Sequence, residues 1–460
     1  MHHSHHTVSF AQDASALPVP PALPRLRVGL IGLGTVGGGT YRVLQRNRAL
    51  IAARTGRDIA VTKVAARNRA RAQALVADDA DVAVVEDAFA LAAHPDIDVV
   101  VEAIGGTTVA RELVLCAIAH GKHVVTANKA LLAEHGEAIF AAAQAQGVVV
   151  GYEGAVAVSI PIIKALREGL TANLIEWVAG IINGTTNFIL SEMRSKGVSF
   201  ADALADAQAR GFAEADPAFD VEGVDAAHKI TLLAANAFGV PVRFDAVHVE
   251  GIHTLEQADV GFAERLGYRV KLLGLAKRQG LGLELRVHPT LLADDHLLAQ
   301  VHGSMNAVLV KSDAAGLTMY YGAGAGAEQT ASAVIADLVD VARVAGQAQH
   351  DRVPHLAFQP QAVVPLPVAP MADLVCRHYL RLDVADVQQT AARALATLGE
   401  AGVQVERMER FTHADGDGAS ALVVLTLPAT QACIAAVAAR LERLPGVRGS
   451  VRQLRLETLH

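Results

Sequence analysis

The sequence predicts an α/β protein made of successive folded regions. Residues 26–31, LRVGLI, form a short apolar run, and Gly32-Leu-Gly34-Thr-Val-Gly37 follows it and opens a helical pattern. Apolar runs typical of buried parallel strands then alternate with helical patterns to about residue 152. Residues 372–460 show a β-α-β-β-α-β pattern. These observations predict a Rossmann-type parallel sheet, an α+β region after it, and a ferredoxin-like region at the end.

The bulk composition excludes several classes of function. A chain of 460 residues is long enough for two or three domains. Its net charge of −7 argues against nucleic acid as a partner. It has no apolar run of about eighteen residues that could span a membrane. The three cysteines lie far apart and fit a reducing compartment, so we expect a cytoplasmic protein with a small-molecule partner.

The glycine motif is interpreted as a dinucleotide-binding loop because it follows a strand and precedes a helix. Its glycines allow a backbone to approach a pyrophosphate, and the helix N-terminus offers N–H groups to it. The predicted contacts are Gly32, Gly34, Thr35, Val36 and Gly37. The motif therefore predicts NADP or NAD as the cofactor.

The choice between the two cofactors depends on the end of the second strand, residues 59–65. Folds that prefer NAD usually place a carboxylate there, to bind the ribose 2′-hydroxyl. Here the chain reads Ala-Ala-Arg67-Asn-Arg69, and Arg67 could bind a 2′-phosphate with its planar fork. The sequence favours NADP, with NAD as the alternative.

Further along the chain, Asn128-Lys129 follows the predicted strand 122–126. Because it lies at the carboxyl end of a parallel strand, this pair is expected to face the ligand crevice.

An acidic stretch, GFAEADPAFDVEGVDAAHK at 211–229, carries five carboxylates within twelve residues and then Lys229. A helical pattern covers 224–238, so Asp225 and Lys229 share one face. The alternative is a solvated loop with an ordinary helix ion pair. Carboxylates at this spacing suit the ammonium of a zwitterionic substrate, and the lysine would be placed for proton transfer.

This stretch resembles the signature of homoserine dehydrogenases, A-x3-G-aromatic-x-E-x-D-P-x2-D-x-x-G-x-D-x3-K. The matching residues are Ala207, Gly211, Glu214, Asp216, Pro217, Asp220, Gly223, Asp225 and Lys229. The resemblance covers about 25–456 and implies NAD(P)-dependent interconversion of L-homoserine and L-aspartate 4-semialdehyde. This reaction belongs to threonine, methionine and isoleucine biosynthesis. No kinase region precedes the motif, which implies the monofunctional form.

The resemblance also implies roles for individual residues. Lys129 and Lys229 are both candidates for proton transfer, with Asp225 orienting Lys229, and the sequence does not decide between them. Substrate contacts are expected from Glu214, Asp220, Gly184 and Thr185, and further cofactor contacts from Lys129, Gly324 and Gly326. A monovalent cation such as sodium is expected at Glu153 and the carbonyls of Val156, Val158 and Ile160. Two other functions stay open: another NAD(P)-dependent amino-acid dehydrogenase, or a non-catalytic amino-acid sensor.

The chain is expected to divide into five segments. They are a disordered leader at 1–24, a nucleotide domain at 25–152 completed by 320–345, a catalytic domain at 153–319, a linker at 346–371 and an ACT-like regulatory domain at 372–460. ACT domains usually have a D-x-P-G-V-L turn that admits an amino acid. Here Asp383-Val-Ala-Asp386 lacks its proline and glycine, so the domain is expected to mediate assembly into a homodimer or homotetramer.

Overall fold

The computed structural model describes residues 23–348, 352–412 and 420–459, so most of the predicted leader lies outside the described residues. The chain forms two compact units. Of the described residues, the first contains 23–131, 135–158, 326–348 and 352–355. The second contains residues 132–134, 159–325, 356–412 and 420–459. In the described residues, no helix is both long and apolar enough to cross a membrane.

The first unit is built on a parallel sheet, as the sequence predicts. Its strands have the order β3-β2-β1-β4-β5-β6, which reverses direction between β1 and β4. That reversal creates the switch point at which open α/β sheets bind ligands. The strands are β1 (Arg25–Ile31), β2 (Asp58–Ala65), β3 (Ala83–Val85), β4 (Val99–Glu102), β5 (His123–Thr126) and β6 (Val150–Gly151).

Helices cover this sheet, and one of them comes from a distant part of the chain. Val334 and Leu338 pack into the same core as Val28 and Val99, all at most 1% exposed. The late helix therefore completes the hydrophobic core of the first unit. The helices are α1 (Thr35–Arg46), α2 (Arg48–Thr55), α3 (Arg69–Leu75), α4 (Ala88–Ala92), α5 (Val109–Ala119), α6 (Lys129–Gln146) and, from later in the chain, α13 (Ala327–Val344).

The second unit contains an eleven-stranded mixed sheet with the main order β12-β11-β7-β9-β10-β17-β13-β15-β14. The short β8 and β16 pair with β10 and β13. The hairpin of β9 and β10 is long, because antiparallel pairing continues through polar residues to a tight turn. The strands are β7 (Ile175–Ile181), β8 (His248–Val249), β9 (Tyr268–Gln279), β10 (Gly282–Ala293), β11 (Met305–Ser312), β12 (Gly316–Ala323), β13 (Val375–Val384), β14 (Val405–Thr412), β15 (Ser420–Thr426), β16 (Ala429–Thr430) and β17 (Val447–Leu456).

The helical segment after Pro161 combines two kinds of helix. It begins at Ile162 and ends in a π-helical turn, in which Leu170 N–H donates to the carbonyl of Ala165. The helices of the second unit are α7 (Ile162–Lys164), α8 (Gly184–Lys196), α9 (Phe200–Ala209), α10 (Ala218–Val221), α11 (Val224–Phe238), α12 (Gln257–Arg265), α14 (Val387–Glu400) and α15 (Gln431–Leu441).

The C-terminal region shares the sheet of the second unit. Its strands are antiparallel to one another, with β13 between β17 and β15. β17 pairs in parallel with β10, where Thr290 and Leu291 face Arg455 and Leu456. Both terminal nitrogens of Arg455 also donate to Glu250 at 2.7 and 2.8 Å. Backbone pairing and a two-bond ion pair therefore join this region to the strands before it.

Candidate active site

The acidic stretch of the second unit forms the short helix α10, the first turns of α11 and a buried ion pair. Gly223 adopts a left-handed φ of +86° between α10 and α11, a conformation that favours glycine. Lys229 Nζ donates to Asp225 Oδ2 at 2.7 Å and to the carbonyl of Ile182 at 2.7 Å. The two charged side chains are only 7% and 4% exposed. The predicted helical pair is therefore buried, unlike the ordinary solvated ion pair of the alternative reading, although Glu214 and Asp216 in the loop are exposed.

Asn183 connects this pair to a second carboxylate. Its amide nitrogen donates to Asp220 Oδ1 at 2.7 Å and to Asp225 Oδ2 at 2.8 Å. Its amide oxygen accepts from Thr186 N–H at 2.8 Å and so caps α8. The Asn183 side chain thus links the N-terminus of α8 to the carboxylates of Asp220 and Asp225.

Sequence reasoning assigned no role to Asn183. The only local signal was an asparagine between a strand and a helix, which is typical of an N-cap. Its carboxylate partners are 37 and 42 residues away, and no local pattern contains that information.

The electrostatics of the cluster distinguish Asp220 from an ordinary surface carboxylate. Burial raises the pKa of Asp220, and the neighbouring charge of Asp225 raises it further. The hydrogen bond from Asn183 opposes both effects by favouring the ionised form. Asp220 is therefore a carboxyl group whose charge depends on its partners, as is common in sites that bind a cation or exchange a proton.

The other predicted substrate residues have different surroundings. Gly184 is the first residue of α8, and a Cβ there would lie 2.6 Å from the carbonyl of Ser304. Thr185 is 9% exposed, and its hydroxyl donates to the carbonyl of Phe212 at 2.8 Å. The structure places both residues next to Asn183. Glu214 lies on the exposed part of the acidic loop.

In the first unit, the three glycines of the G-x-G-x-x-G loop serve different purposes. Gly32 has a φ of +96°, and its N–H donates to Ala65 at 2.8 Å. A Cβ on Gly37 would collide with the carbonyl of Gly32. A Cβ on Gly34 would meet no protein atom within 4 Å. Gly32 and Gly37 are therefore required by the protein's own packing, whereas Gly34 borders open space.

The start of α1 fits a phosphate group. Gly34 is its N-cap residue and provides no side-chain hydrogen bond, and the first turn holds no acidic residue. Thr35 and Val36 are the first two residues of the helix, so their N–H groups have no partner within the helix. An uncapped helix N-terminus next to open space matches the chemistry of a dinucleotide pyrophosphate.

Two further cofactor predictions concern the carboxyl ends of the strands. Arg67 is exposed just beyond β2, whereas Arg69 forms an ion pair with Glu86. Lys129 is half-buried at the first residue of α6, which Asn128 caps by accepting from Leu131 N–H at 3.1 Å. Both predicted residues thus lie at the edge where such sheets bind nucleotides.

The residues predicted to bind a cation lie within 153–160, where the chain passes from the first unit to the second. Glu153 is 1% exposed, and its N–H donates to Asp337 at 2.8 Å. Val156 is buried, and Val158 has a φ of +52°, which is strained for a β-branched residue. Ile160 is buried in the second unit. In the described part of the chain, no three His, Cys, Asp or Glu residues are grouped to hold a metal, so the carbonyl-based cation site stays a prediction.

The glycines after β12 also differ from each other. A Cβ on Gly324 would collide with the amide of Asn306, which is fully buried. Gly326 has a φ of +132° and precedes α13. Close packing against Asn306 explains Gly324, and the positive φ explains Gly326. The cofactor contacts of both glycines stay predictions.

A dinucleotide-binding sheet and a separate unit with a buried carboxylate–lysine cluster define a class of protein. Nucleotide-dependent dehydrogenases combine a cofactor that supplies hydride with side chains that bind the substrate and move protons. The chain is an oxidoreductase of this class.

Comparison with known proteins identifies the family. A family model described as "Homoserine dehydrogenase" matches residues 161–339, and one described as "Homoserine dehydrogenase, NAD binding domain" matches residues 32–153. Homoserine dehydrogenase from Pseudomonas aeruginosa is 53% identical over 95% of this chain and 99% of its own length. The enzyme from Neisseria gonorrhoeae is 49% identical over 95% of this chain and 99% of its own length.

A solved structure agrees with the sequence comparisons. The homoserine dehydrogenase from Thiobacillus denitrificans has a TM-score of 0.89 and 53% identity, covering 94% of this chain and 98% of its own. The chain belongs to the homoserine dehydrogenase family. Its reaction is the NAD(P)-dependent interconversion of L-homoserine and L-aspartate 4-semialdehyde, which serves threonine, methionine and isoleucine biosynthesis.

Proposed function

We propose that the cluster of Asn183, Asp220, Asp225 and Lys229 is the polar end of the substrate site in this homoserine dehydrogenase. The observation that carries this proposal is the continuous set of hydrogen bonds, each 2.7–2.8 Å long, from Asp220 through Asn183 and Asp225 to Lys229. A buried, prearranged polar cluster can bind a zwitterionic amino acid without a large reorganisation. Asp220 and Glu214 would bind the ammonium or hydroxyl group, and Gly184 and Thr185 would supply further contacts.

The chemical step needs a hydride at the aldehyde carbon and a proton at its oxygen. The nicotinamide cofactor supplies or accepts the hydride. The protein's task is to hold the carbonyl group and to move a proton to or from its oxygen. Lys229 and Lys129 are the proposed groups for this transfer, and Asp225 orients Lys229 through the 2.7 Å contact.

The experiment that tests these roles is homoserine-dependent cofactor reduction by the wild type, Lys229→Met and Lys129→Met. Loss of kcat with an unchanged KM for homoserine identifies the proton-transfer lysine, whereas a change confined to KM identifies a binding lysine. Lys196→Met is a matched control, because Lys196 is an exposed lysine at the end of α8. Wild-type turnover in both active-site variants would contradict the proposal.

We propose NADP as the preferred cofactor because Arg67, and no carboxylate, follows β2. An exposed guanidinium at the end of the second strand suits a 2′-phosphate.

We propose that the protein acts on a small amino-acid substrate as a homodimer or homotetramer and binds neither nucleic acid nor membrane. A sodium-like cation at Glu153, Val156, Val158 and Ile160 is tested by comparing turnover in sodium and in a bulky organic cation at equal ionic strength.

The C-terminal region is proposed to be an ACT-like module that acts in assembly. Its β-α-β-β-α-β order and the position of β13 between β17 and β15 support this proposal. Asp386 caps α14 by accepting from Gln389 N–H at 3.1 Å, where an effector-binding module would have a glycine turn. Turnover of the full chain should therefore be insensitive to millimolar threonine. Strong inhibition would show that this module binds an amino acid.

A further inference from the structure

Glu102 is a buried acidic residue at the carboxyl end of β4. It is 1% exposed. Its Oε1 accepts from the N–H groups of Ile104 at 2.8 Å and Gly105 at 3.0 Å. Its Oε2 accepts from the hydroxyl of Thr126 at 2.6 Å. The carboxylate thus joins the loop after β4 to the end of β5.

The same hydrogen bonds continue to the residue before Lys129. Thr126 Oγ1 accepts from Asn128 N–H at 3.0 Å. Asn128 Nδ2 in turn donates to the carbonyl of Gly106 at 2.7 Å. Glu102 therefore helps to position both the glycine pair after β4 and the first turn of α6, where Lys129 begins.

The donors around Glu102 suit an ionised carboxylate. The hydroxyl oxygen of Thr126 accepts from Asn128 N–H, so the hydroxyl proton is donated to Glu102. With the N–H groups of Ile104 and Gly105, the Glu102 carboxylate accepts from three donors. Across residues 23–348, 352–412 and 420–459, no ion pair neutralises Glu102. A buried charge without a counter-ion is costly, and such groups occur preferentially at functional sites.

The place of this charge suggests which part of the cofactor it serves. β4 lies at the switch point beside β1, where ligands of open parallel sheets bind. The nicotinamide ring is positively charged in NADP⁺ and neutral in NADPH. We infer that Glu102 is a positioning residue that also makes the site prefer the oxidised cofactor.

This inference rests on the proposed function, because it requires the nicotinamide to lie at the β4–β5 edge. Reduction of the semialdehyde moves a hydride to the aldehyde carbon and leaves positive charge on the cofactor ring. A fixed negative charge nearby stabilises that change, so Glu102 would favour formation of homoserine.

Calorimetric titration of the full chain with NADP⁺ and with NADPH tests the inference without relying on turnover. Glu102→Gln keeps the size and the acceptor oxygen of the side chain but removes its charge. The Kd for NADP⁺ should rise roughly tenfold relative to the Kd for NADPH, as for unit charges within about 10 Å in protein. An unchanged ratio of the two Kd values in a folded Glu102→Gln protein overturns the inference.

Two control variants separate charge from position. Thr126→Val removes the hydroxyl between Glu102 and Asn128 but keeps the carboxylate, so it should weaken both cofactor forms equally. Glu112→Gln removes the same charge from an exposed position on α5 and should change neither Kd. A ratio that shifts equally in Glu112→Gln contradicts a local role for Glu102.

The titrations distinguish failure of the proposed function from failure of the inference about Glu102. If the wild type binds neither cofactor form, the proposed function fails first. If the wild type binds both and the Kd ratio does not depend on Glu102, only the inference fails. Should Glu102→Gln not fold, the double variant Glu102→Met/Thr126→Val provides a second uncharged protein for the same titration, judged by the same ratio.

Discussion

Lys229 and Asp225 form a buried ion pair one helical turn apart, with 2.7 Å between Nζ and Oδ2. On an exposed helix such a pair contributes only a few tenths of a kcal/mol, about 0.3–0.5. Here both side chains are at least nine-tenths buried. Removing either side chain takes the ion-pair partner away from a buried charged group. The proposed role of Lys229 in proton transfer must therefore be separated by experiment from its effect on stability.

A paired substitution should separate them. Lys229→Met alone should lower the free energy of unfolding by roughly 3–5 kcal/mol, because Asp225 stays buried but loses the ammonium of Lys229. Lys229→Met/Asp225→Leu should recover most of this loss, and both proteins should lose roughly two to four orders of magnitude in kcat. Urea unfolding and homoserine oxidation measure the two effects. Turnover that returns together with stability in the double variant would make the pair purely structural.

Asn183→Ala should lower kcat/KM for homoserine by roughly ten- to a hundredfold, since each hydrogen bond to a charged group contributes about 1.5–3 kcal/mol. The variant also removes the cap of α8. Ser199→Ala is the matched control, because Ser199 caps α9 by accepting from Asp202 N–H and lies outside the cluster. Both should lose about 1 kcal/mol of stability through the cap. Equal activity in the two proteins would show that Asn183 is only a helix cap.

The raised pKa of Asp220 predicts a pH-dependent change in stability. The unfolded chain releases this proton at a lower pH than the folded chain, so folding loses stability as the pH rises from the ordinary carboxyl pKa through the folded pKa. Asp220→Asn cannot ionise. Its free energy of unfolding, relative to the wild type, should therefore rise over that window and level off above it. Parallel urea titrations of the wild type and Asp220→Asn measure this difference, and a difference that stays constant with pH would contradict the prediction.

Gly34→Val should abolish cofactor binding while leaving the protein folded. Its φ of −72° is open to any residue, and the added side chain meets no protein atom within 4 Å of Cβ. The Kd for NADP should rise by more than about tenfold, because the side chain occupies the space of the pyrophosphate. Gly38→Ala, in the same helix with ordinary packing distances, is the control. Calorimetry that finds equal affinity in Gly34→Val and the wild type refutes the assignment of this loop.

Arg67→Ala should weaken NADP and spare NAD. A charge-assisted contact to the 2′-phosphate is worth about 1.5–3 kcal/mol, which corresponds to roughly ten- to a hundredfold in Kd. Arg69→Ala should have a smaller effect, because Arg69 is paired with Glu86. An equal loss of affinity for both cofactors would exclude contact between Arg67 and the phosphate.

Local patterns in the sequence were sufficient for β1, β2, β4, β5 and β6 of the first unit and for the family signature, whereas β3, α3 and α4 were not predicted. The glycine loop, the parallel strands and the Asp225–Lys229 spacing all depend on residues near one another in the chain. Backbone conformation and side-chain period express such short-range information directly. The helical period of 224–238 places Lys229 on one face of α11, but it does not show which residues cover that face. The near-complete burial of Lys229 therefore came from the structure.

The tertiary structure alone decided which distant residues complete the sites. Asn183 reaches Asp220 and Asp225 across 37 and 42 residues, and Glu102 reaches Thr126 across 24. The pairing of β10 with β17, which joins the C-terminal region to the catalytic sheet, is also long-range. These contacts follow from how strands and helices pack, and a hydrogen bond between distant residues leaves no periodic trace in the sequence. The sequence alone therefore determined the family and the signature residues, whereas folding determined the partners that give those residues their charge and position.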